Sequence, residues 1–385
     1  MIVTRIQVKN WRNFRVIDAA LTERVFVVGP NAAGKSNFLD VFRFLRDLAK
    51  SGGGLQKAIS DRGGLSKLRC LSARKDPEVR IEIDLAESGS DVPAWTYSLG
   101  IKQQPRGERL PYVSEESVRQ GGGVLFSRPD ADDKKDEERL TQTYLEQINA
   151  NGEFREISKF LQSCTYLHLV PQLIRYADSF QGRKLEDDPF GQGFLESVAK
   201  TSEKTRDIRL QRIEQSLKVA VPQMNQLRFL RDEDTGRPHL EALYSHWRPN
   251  AGWQREDQFS DGTLRMIGFL WCLLERDSLL LLEEPELSLN AAIVGRIAPM
   301  ISRAQRIRKR QVIVSTHSDA LLADKGIGAE EVLLLTPNAE GTDVKVAGDI
   351  GEVVALLEGG MSVAEAVLPM TRPDNLSKLS SFAAD

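Results

Sequence analysis

The chain has 385 residues, 41% of them hydrophobic and 28% charged, with a formal net charge of −3. That length can bury a large core, in more than one lobe, and the near-neutral balance gives no global electrostatic drive towards nucleic acid. Any such contact would need a local basic patch. The three cysteines, Cys70, Cys164 and Cys272, are far apart and form no C-x-x-C pair, which fits a reducing cytosol rather than a disulfide framework. The opening MIVTRIQVKNWRNF alternates like a strand instead of reading as a leader. Apolar stretches such as MIGFLWCLL fall well short of the ~20 residues of a membrane span.

Residues 2–8 alternate as a strand, and Phe14–Leu21 continues extended. VFVV (25–28) reads as a short buried strand, GPNAAGKS (29–36) as a loop, and the run from Lys35 to about residue 50 as an amphipathic helix, ended by SGGG. VRIEIDL (79–85), WTYSLGI (95–101) and Tyr112–Val118 read as antiparallel strands of a β-rich N-terminal lobe. RPDADDKKDEERL (128–140) reads as a solvated charge run. From about 140 to 222 the pattern is mainly helical, and two strands, Gln226–Leu230 and His239–Tyr244, flank a DEDTGRP turn. TLRMIGFLWCLLER (263–276) is an apolar helix, SLLLLEE (278–284) a buried strand and AAIVGRIAPMISRAQ (291–305) a helix. QVIVSTHS (311–318) and VLLLTP (332–337) are further strands. Short apolar strands alternating with helices predict a parallel α/β sheet, which the strand before the loop is expected to join. No apolar heptad pattern persists, so no long coiled coil is expected.

The loop has the spacing G-x-x-x-x-G-K-S between a strand and a helix, the setting a phosphate-binding loop requires. Gly29 and Gly34 let successive N–H groups converge on one point, reinforced by the positive end of the helix. In that motif Lys35 reaches the β- and γ-phosphates of a nucleotide and the Ser36 hydroxyl ligates Mg²⁺. An ordinary glycine turn would give no reason for Lys and Ser to follow the second glycine. SLLLLEEPE places Glu283 and Glu284 at the end of a buried strand, the edge at which α/β ligand sites form. Bound Mg²⁺ needs oxygen ligands beyond Ser36 and the phosphates, so Glu283 is assigned to the metal shell through water. Glu284 is assigned to orienting or deprotonating the attacking water. In FSDGTLR (259–265), Ser260 and Gly262 open the apolar helix and offer an anion a hydroxyl and backbone N–H groups. By itself Ser-Asp-Gly is also an ordinary cap. His317, closing the strand VIVS, is a candidate γ-phosphate sensor.

GPNAAGKS, FSDGT, LLLLEEPE and STHS, in that order, resemble the Walker A, signature, Walker B and switch-histidine motifs of ABC-type ATPases. VKNWRNF ahead of the loop is similar to the start of the RecF and SMC branch, and the signature and EEP-type Walker B to compact AAA_21-type ATPases related to the OLD (overcoming-lysogenization) group. The resemblance implies a P-loop NTPase fold of ABC type, α/β, with a mixed or parallel core sheet, a β-rich N-terminal lobe and a mainly helical insertion. The corresponding segments are 1–127, 128–225, 226–345 and a tail at 346–385.

The resemblance also implies that Gly29, Asn31, Gly34, Lys35, Ser36 and Asn37 hold ATP in cis. Ser260 and Gly262 would contact the γ-phosphate in trans, in a homodimer or higher homo-oligomer with ATP sandwiched between heads. Glu284 and His317 are the implied catalytic pair. LVPQ (169–172) resembles the loop whose glutamine senses the metal, making Gln172 a candidate. Trp11 could stack on adenine, although such a residue more often packs in the core. Asp261, Glu283 and Asn290 depart from the wider ABC pattern, where Gly, Asp, and Asp or His respectively are common, although SDGT is usual in the compact branch.

OLD-type nucleases append a Toprim domain needing a Glu and a D-x-D pair, and no D-x-D follows His317. The expected activity is therefore ATP hydrolysis by a cytoplasmic protein, with no nuclease of that type. ATP-gated dimerisation would sense or remodel DNA, or control a separate nuclease-like or toxin-like effector, in genome maintenance or anti-phage defence. Basic stretches at RAQRIRKRQ (303–311) and KLRCLSARK (67–75) are candidate DNA contacts, although a solvated helix face also explains either stretch. A slowly hydrolysing ATP-dependent scaffold is the alternative. A transporter's nucleotide-binding subunit fits less well, because of the β-rich lobe and the SMC-like opening.

Overall fold

The computed structural model describes residues 1–373 apart from 74–75, 91, 177–187, 189, 249–251 and 276–278. In chain order the first elements are β1 (Ile2–Trp11), β2 (Phe14–Ala20), β3 (Arg24–Val28), α1 (Lys35–Ala49), α2 (Leu55–Ser60) and α3 (Leu65–Leu68). Then come β4 (Val79–Ala86), β5 (Trp95–Gln103), β6 (Pro111–Gln120), β7 (Gly123–Arg128), α4 (Arg155–Gln162), β8 (Thr165–Leu167) and α5 (Pro171–Arg175). They are followed by α6 (Phe194–Lys200), α7 (Glu203–Ala220), β9 (Met224–Arg231), β10 (Pro238–Tyr244), β11 (Trp253–Arg255), α8 (Asp261–Leu273) and β12 (Leu280–Glu283). The last are α9 (Ala291–Val294), α10 (Ile297–Arg308), β13 (Val312–Ser315), α11 (Asp319–Leu322), β14 (Val332–Asn338), β15 (Gly341–Val346), α12 (Gly351–Glu358) and α13 (Val363–Val367). These elements form two compact units: residues 1–165, 278–281 and 309–385, and residues 166–277 and 282–308.

In the first unit β2-β1-β4-β5-β6-β7 form an antiparallel sheet, the β-rich lobe the alternating patterns predict. The core sheet has the order β15-β14-β3-β13-β12-β8. β3 is buried along its whole length and pairs in parallel with β13 and β14, as a strand flanked by crossover connections should. β8 leaves the first unit after Thr165, and β12 leaves it after Leu281. α1 is anchored by Phe38, Leu39, Phe42, Leu45 and Leu48, all fully buried at helical spacing. Trp11 is buried too: its ring lies 5.2 Å from Phe44 and its Nε1 donates to the Asn37 carbonyl at 3.0 Å. It is therefore a core residue and not a platform for adenine.

The charge run at 128–140 is exposed over most of its length, as its composition predicts, with two charged exceptions. The Arg128 and Asp133 side chains are fully buried, as is Glu116. Arg128 donates to both Asp133 oxygens at 2.9 Å and to Glu116 at 3.2 Å, and its guanidinium lies 3.8 Å from the Tyr144 ring centre. A buried charge survives only when paired, and here one arginine satisfies two carboxylates. The helix expected over 291–305 is likewise interrupted: α9 ends at Val294, with Gly295 as its C-cap, and α10 starts at Ile297. β7, β8, β11 and β15 add strands that the sequence reading did not resolve.

In the second unit β11-β10-β9 form a small antiparallel sheet, and α7 packs on β9 through Leu210, Ile213 and Leu217. α8 is buried along most of its length. Its Gly268 gives room to Leu169, since a Cβ there would lie 2.0 Å from the Leu169 Cδ1. Glu256 fixes the start of β10, accepting from the Leu240 N–H at 2.9 Å and lying 2.7 Å from His239 Nδ1.

Candidate nucleotide site

The candidate residues divide between the two units. In the first, the loop after β3 has the backbone of an anion nest: Ala32 and Gly34 both adopt left-handed conformations, with φ of 64° and 98°. Gly34 is the N-cap of the 15-residue helix α1, and no side chain caps that terminus. Lys35 is 8% exposed and lays its ammonium across the loop, 3.1 Å from the carbonyls of both Gly29 and Pro30. Asn31 and Ser36 are exposed beside it. An uncapped helix start, a left-handed loop and a folded-in lysine fit a polyphosphate.

Asn13, in the turn between β1 and β2, was not singled out in the sequence. Its Nδ2 donates to the Ala33 carbonyl at 2.8 Å and to Thr342 Oγ1 at 2.9 Å, and its Oδ1 accepts from Asn37 Nδ2 at 2.7 Å. Gly34 must be glycine twice over: its φ is positive, and a Cβ would come within 2.2 Å of the Asn13 amide. Asn37 thus braces the loop through Asn13. The only sequence signal was a polar residue inside VKNWRNF.

β13 runs parallel to β3 with Ser315 opposite Val27, and the Thr316 N–H donates to the Val27 carbonyl at 3.2 Å. His317 and Gly29 are each two residues beyond that pair, so the exposed histidine and the start of the phosphate loop share one sheet edge.

In the second unit Glu283 ends β12. The Tyr166 hydroxyl donates to its carboxylate, and His168 Nδ1 lies 3.3 Å from its backbone carbonyl. Glu284 follows with φ of 45°, an uncommon conformation for a side chain of this kind and one that clusters at functional sites. Asn290 caps α9, accepting from the Ala292 N–H at 2.9 Å.

Ser260 caps α8, accepting from the Thr263 N–H at 3.1 Å. Gly262 packs against the loop after Glu284, since a Cβ would lie 2.8 Å from the Ser288 carbonyl. Asp261 is held from α5: Arg175 donates to it at 2.7 Å and Gln172 at 2.8 Å. Gln172 therefore lies beside the signature residues. Arg265, one turn into α8, has its basicity lowered by burial, while Asp261, Glu284 and Glu286 pull it the other way.

Among the described residues no group of three His, Cys, Asp or Glu side chains could hold a metal ion. Magnesium bound through one or two protein oxygens plus substrate phosphates needs no such cage. No helix among the described residues is long and apolar enough to cross a membrane.

A family model described as "AAA domain, putative AbiEii toxin, Type IV TA system", AAA_21, matches residues 24–323. No curated protein matches the sequence. A structure of an SMC head bound to the C-terminal winged-helix domain of ScpA is similar at a TM-score of 0.53 and 15% identity, covering 90% of this chain and 98% of that one. The SMC head of Thermotoga maritima gives 0.46 at 14% identity, with 90% and 99% covered. An SMC head with coiled coil and joint from Pyrococcus yayanosii gives 0.49 at 12%, with 93% and 99% covered. The first of these supports the fold, that of an SMC head.

Proposed function

This chain belongs to the AAA_21 family and is a P-loop ATPase, and from that premise we propose that it is an ATP-gated dimerisation switch. Gly29, Asn31, Gly34, Lys35 and Ser36 hold the phosphates of ATP, with Asn37 steadying the loop. Lys35 exchanges its two loop carbonyls for phosphate oxygens, and Ser36 and Glu283 would hold Mg²⁺, which would neutralise charge on the phosphates. Glu284 orients and deprotonates the attacking water, and His317 donates to the γ-phosphate. Ser260 and Gly262 of a second copy close on that phosphate, and Gln172 senses the metal-bound state. The observation that carries this reading is the uncapped, left-handed loop with Lys35 folded across it, at the same sheet edge as His317.

The switch controls a separate, toxin-like or nuclease-like effector in the cytoplasm, in a defence setting. The family's description, a putative toxin of a type IV toxin–antitoxin system, supports that choice over general genome maintenance. DNA is the candidate trigger, and the exposed Arg303 and Arg306 on α10 are the side chains suited to phosphate contact. The test is ATP turnover with and without duplex DNA, at two salt concentrations. Turnover stimulated by DNA and lost when Arg303 and Arg306 become Gln supports the trigger, and turnover indifferent to DNA removes it.

A further inference from the structure

Asp261 poses a problem for the signature. It is the first residue of α8, and its carboxylate sits at the helix N-terminus meant to receive a phosphate. A helix start favours one anion, and here the protein supplies its own, so an incoming γ-phosphate would meet like charge.

The neighbouring helix resolves the conflict. Both carboxylate oxygens of Asp261 are taken from α5: Oδ1 accepts from Arg175 Nη2 at 2.7 Å and Oδ2 from Gln172 Nε2 at 2.8 Å. The same Arg175 nitrogen donates to the Phe259 carbonyl at 2.6 Å, so it also fixes the backbone on the other side of Ser260. The Arg175 side chain is only 16% exposed, against 34% for Asp261, so the pair is shielded more than an ordinary surface bridge. Ser260 stays in place as the helix cap between these two anchors.

We propose that Arg175 is a positioning residue whose charge neutralises Asp261, making the signature of one chain acceptable to the γ-phosphate of ATP bound by a second copy. The proposal rests on the trans role of Ser260 and Gly262 given above. It assigns to α5 a requirement that a glycine at position 261 would not create: the cation is needed because the carboxylate is there.

The test uses the full-length Glu284→Gln protein, which holds ATP without turning it over, with mass followed by light scattering in ATP and Mg²⁺. ATPase rates are read separately with Glu284 intact. Arg175→Gln should weaken ATP-induced association and turnover roughly 10-fold or more, with the affinity of the monomer for a fluorescent ATP analogue unchanged. Adding Asp261→Asn to Arg175→Gln should restore both to within about threefold of the parent, because the charge to be neutralised is gone. Arg175→Lys should keep most of the association, and it carries the test with the double variant if Arg175→Gln does not fold. A double variant no better than Arg175→Gln, or an Arg175→Lys protein that fails to associate, would overturn the charge argument. If Ser260→Arg leaves ATP-induced association intact, the trans reading itself has failed, which is a separate result.

Discussion

Asn13 is tied to Ala33: the side-chain amide of a turn residue in the β-rich lobe donates at 2.8 Å to the carbonyl just before Gly34, so the phosphate loop is shaped from outside its own motif. The same side chain accepts from Asn37 on the first turn of α1. Asn13→Ala removes both of these bonds, each worth about 1 kcal/mol, along with the one to Thr342. ATP affinity should fall roughly 10-fold while the fold survives, as calorimetry and circular dichroism would check. Unchanged affinity would mean the loop holds its shape unaided.

The proposed roles of Lys35 and Glu284 separate binding from chemistry. Lys35→Ala removes the cation that lies across the loop and should abolish nucleotide binding. Glu284→Gln keeps the backbone and the hydrogen-bonding shape and should bind ATP normally while turnover drops by about 100-fold or more. Equal loss of binding in both variants would contradict these roles.

Tyr166 orients Glu283 through the hydroxyl it donates to that carboxylate. Tyr166→Phe leaves the ring in place and removes that donated bond, so half-maximal ATPase activity should require several-fold more Mg²⁺ with the ATP affinity little changed, about the effect expected of a lost outer-shell partner. A magnesium dependence identical to the parent would place the carboxylate outside the metal shell.

Asp133 makes a stability prediction with a definite sign. Burial pushes its carboxyl pKa up, but the paired bonds from Arg128 outweigh that and bring it down to about 2. A carboxyl depressed in the fold stabilises it above its unfolded pKa of about 3.9, and that stabilisation fades as pH falls towards 2. The shift corresponds to about 2–3 kcal/mol. Asp133→Asn should therefore be less stable by about that amount at pH 7, with the gap to the parent closing below pH 4, as denaturant midpoints across pH would register.

The phosphate loop, the acidic strand and the serine cap of α8 were legible because each depends on residues close in sequence. The spacing of Gly29, Gly34, Lys35 and Ser36 specifies its own backbone, and the periodicities of β1, α1 and β13 are local. Asn13 was not legible, since its partners Ala33 and Thr342 are 20 and 329 positions away. The charge run was legible as largely solvated, but its two buried members, Arg128 and Asp133, were not, since Arg128 also reaches Glu116 on β6. Asp261 was visible as a departure from the ABC pattern, but its compensation by Arg175, 86 positions earlier, required the structure.

The central claim is that ATP joins two copies of this chain through the phosphate loop of one and the signature of the other. The most direct measurement is the molar mass of the Glu284→Gln protein by light scattering, with and without ATP and Mg²⁺, alongside the same protein carrying Ser260→Arg. The account predicts a doubling of mass on adding ATP and Mg²⁺ that the Ser260→Arg change abolishes. A mass indifferent to ATP, or one that rises equally in both proteins, would contradict it.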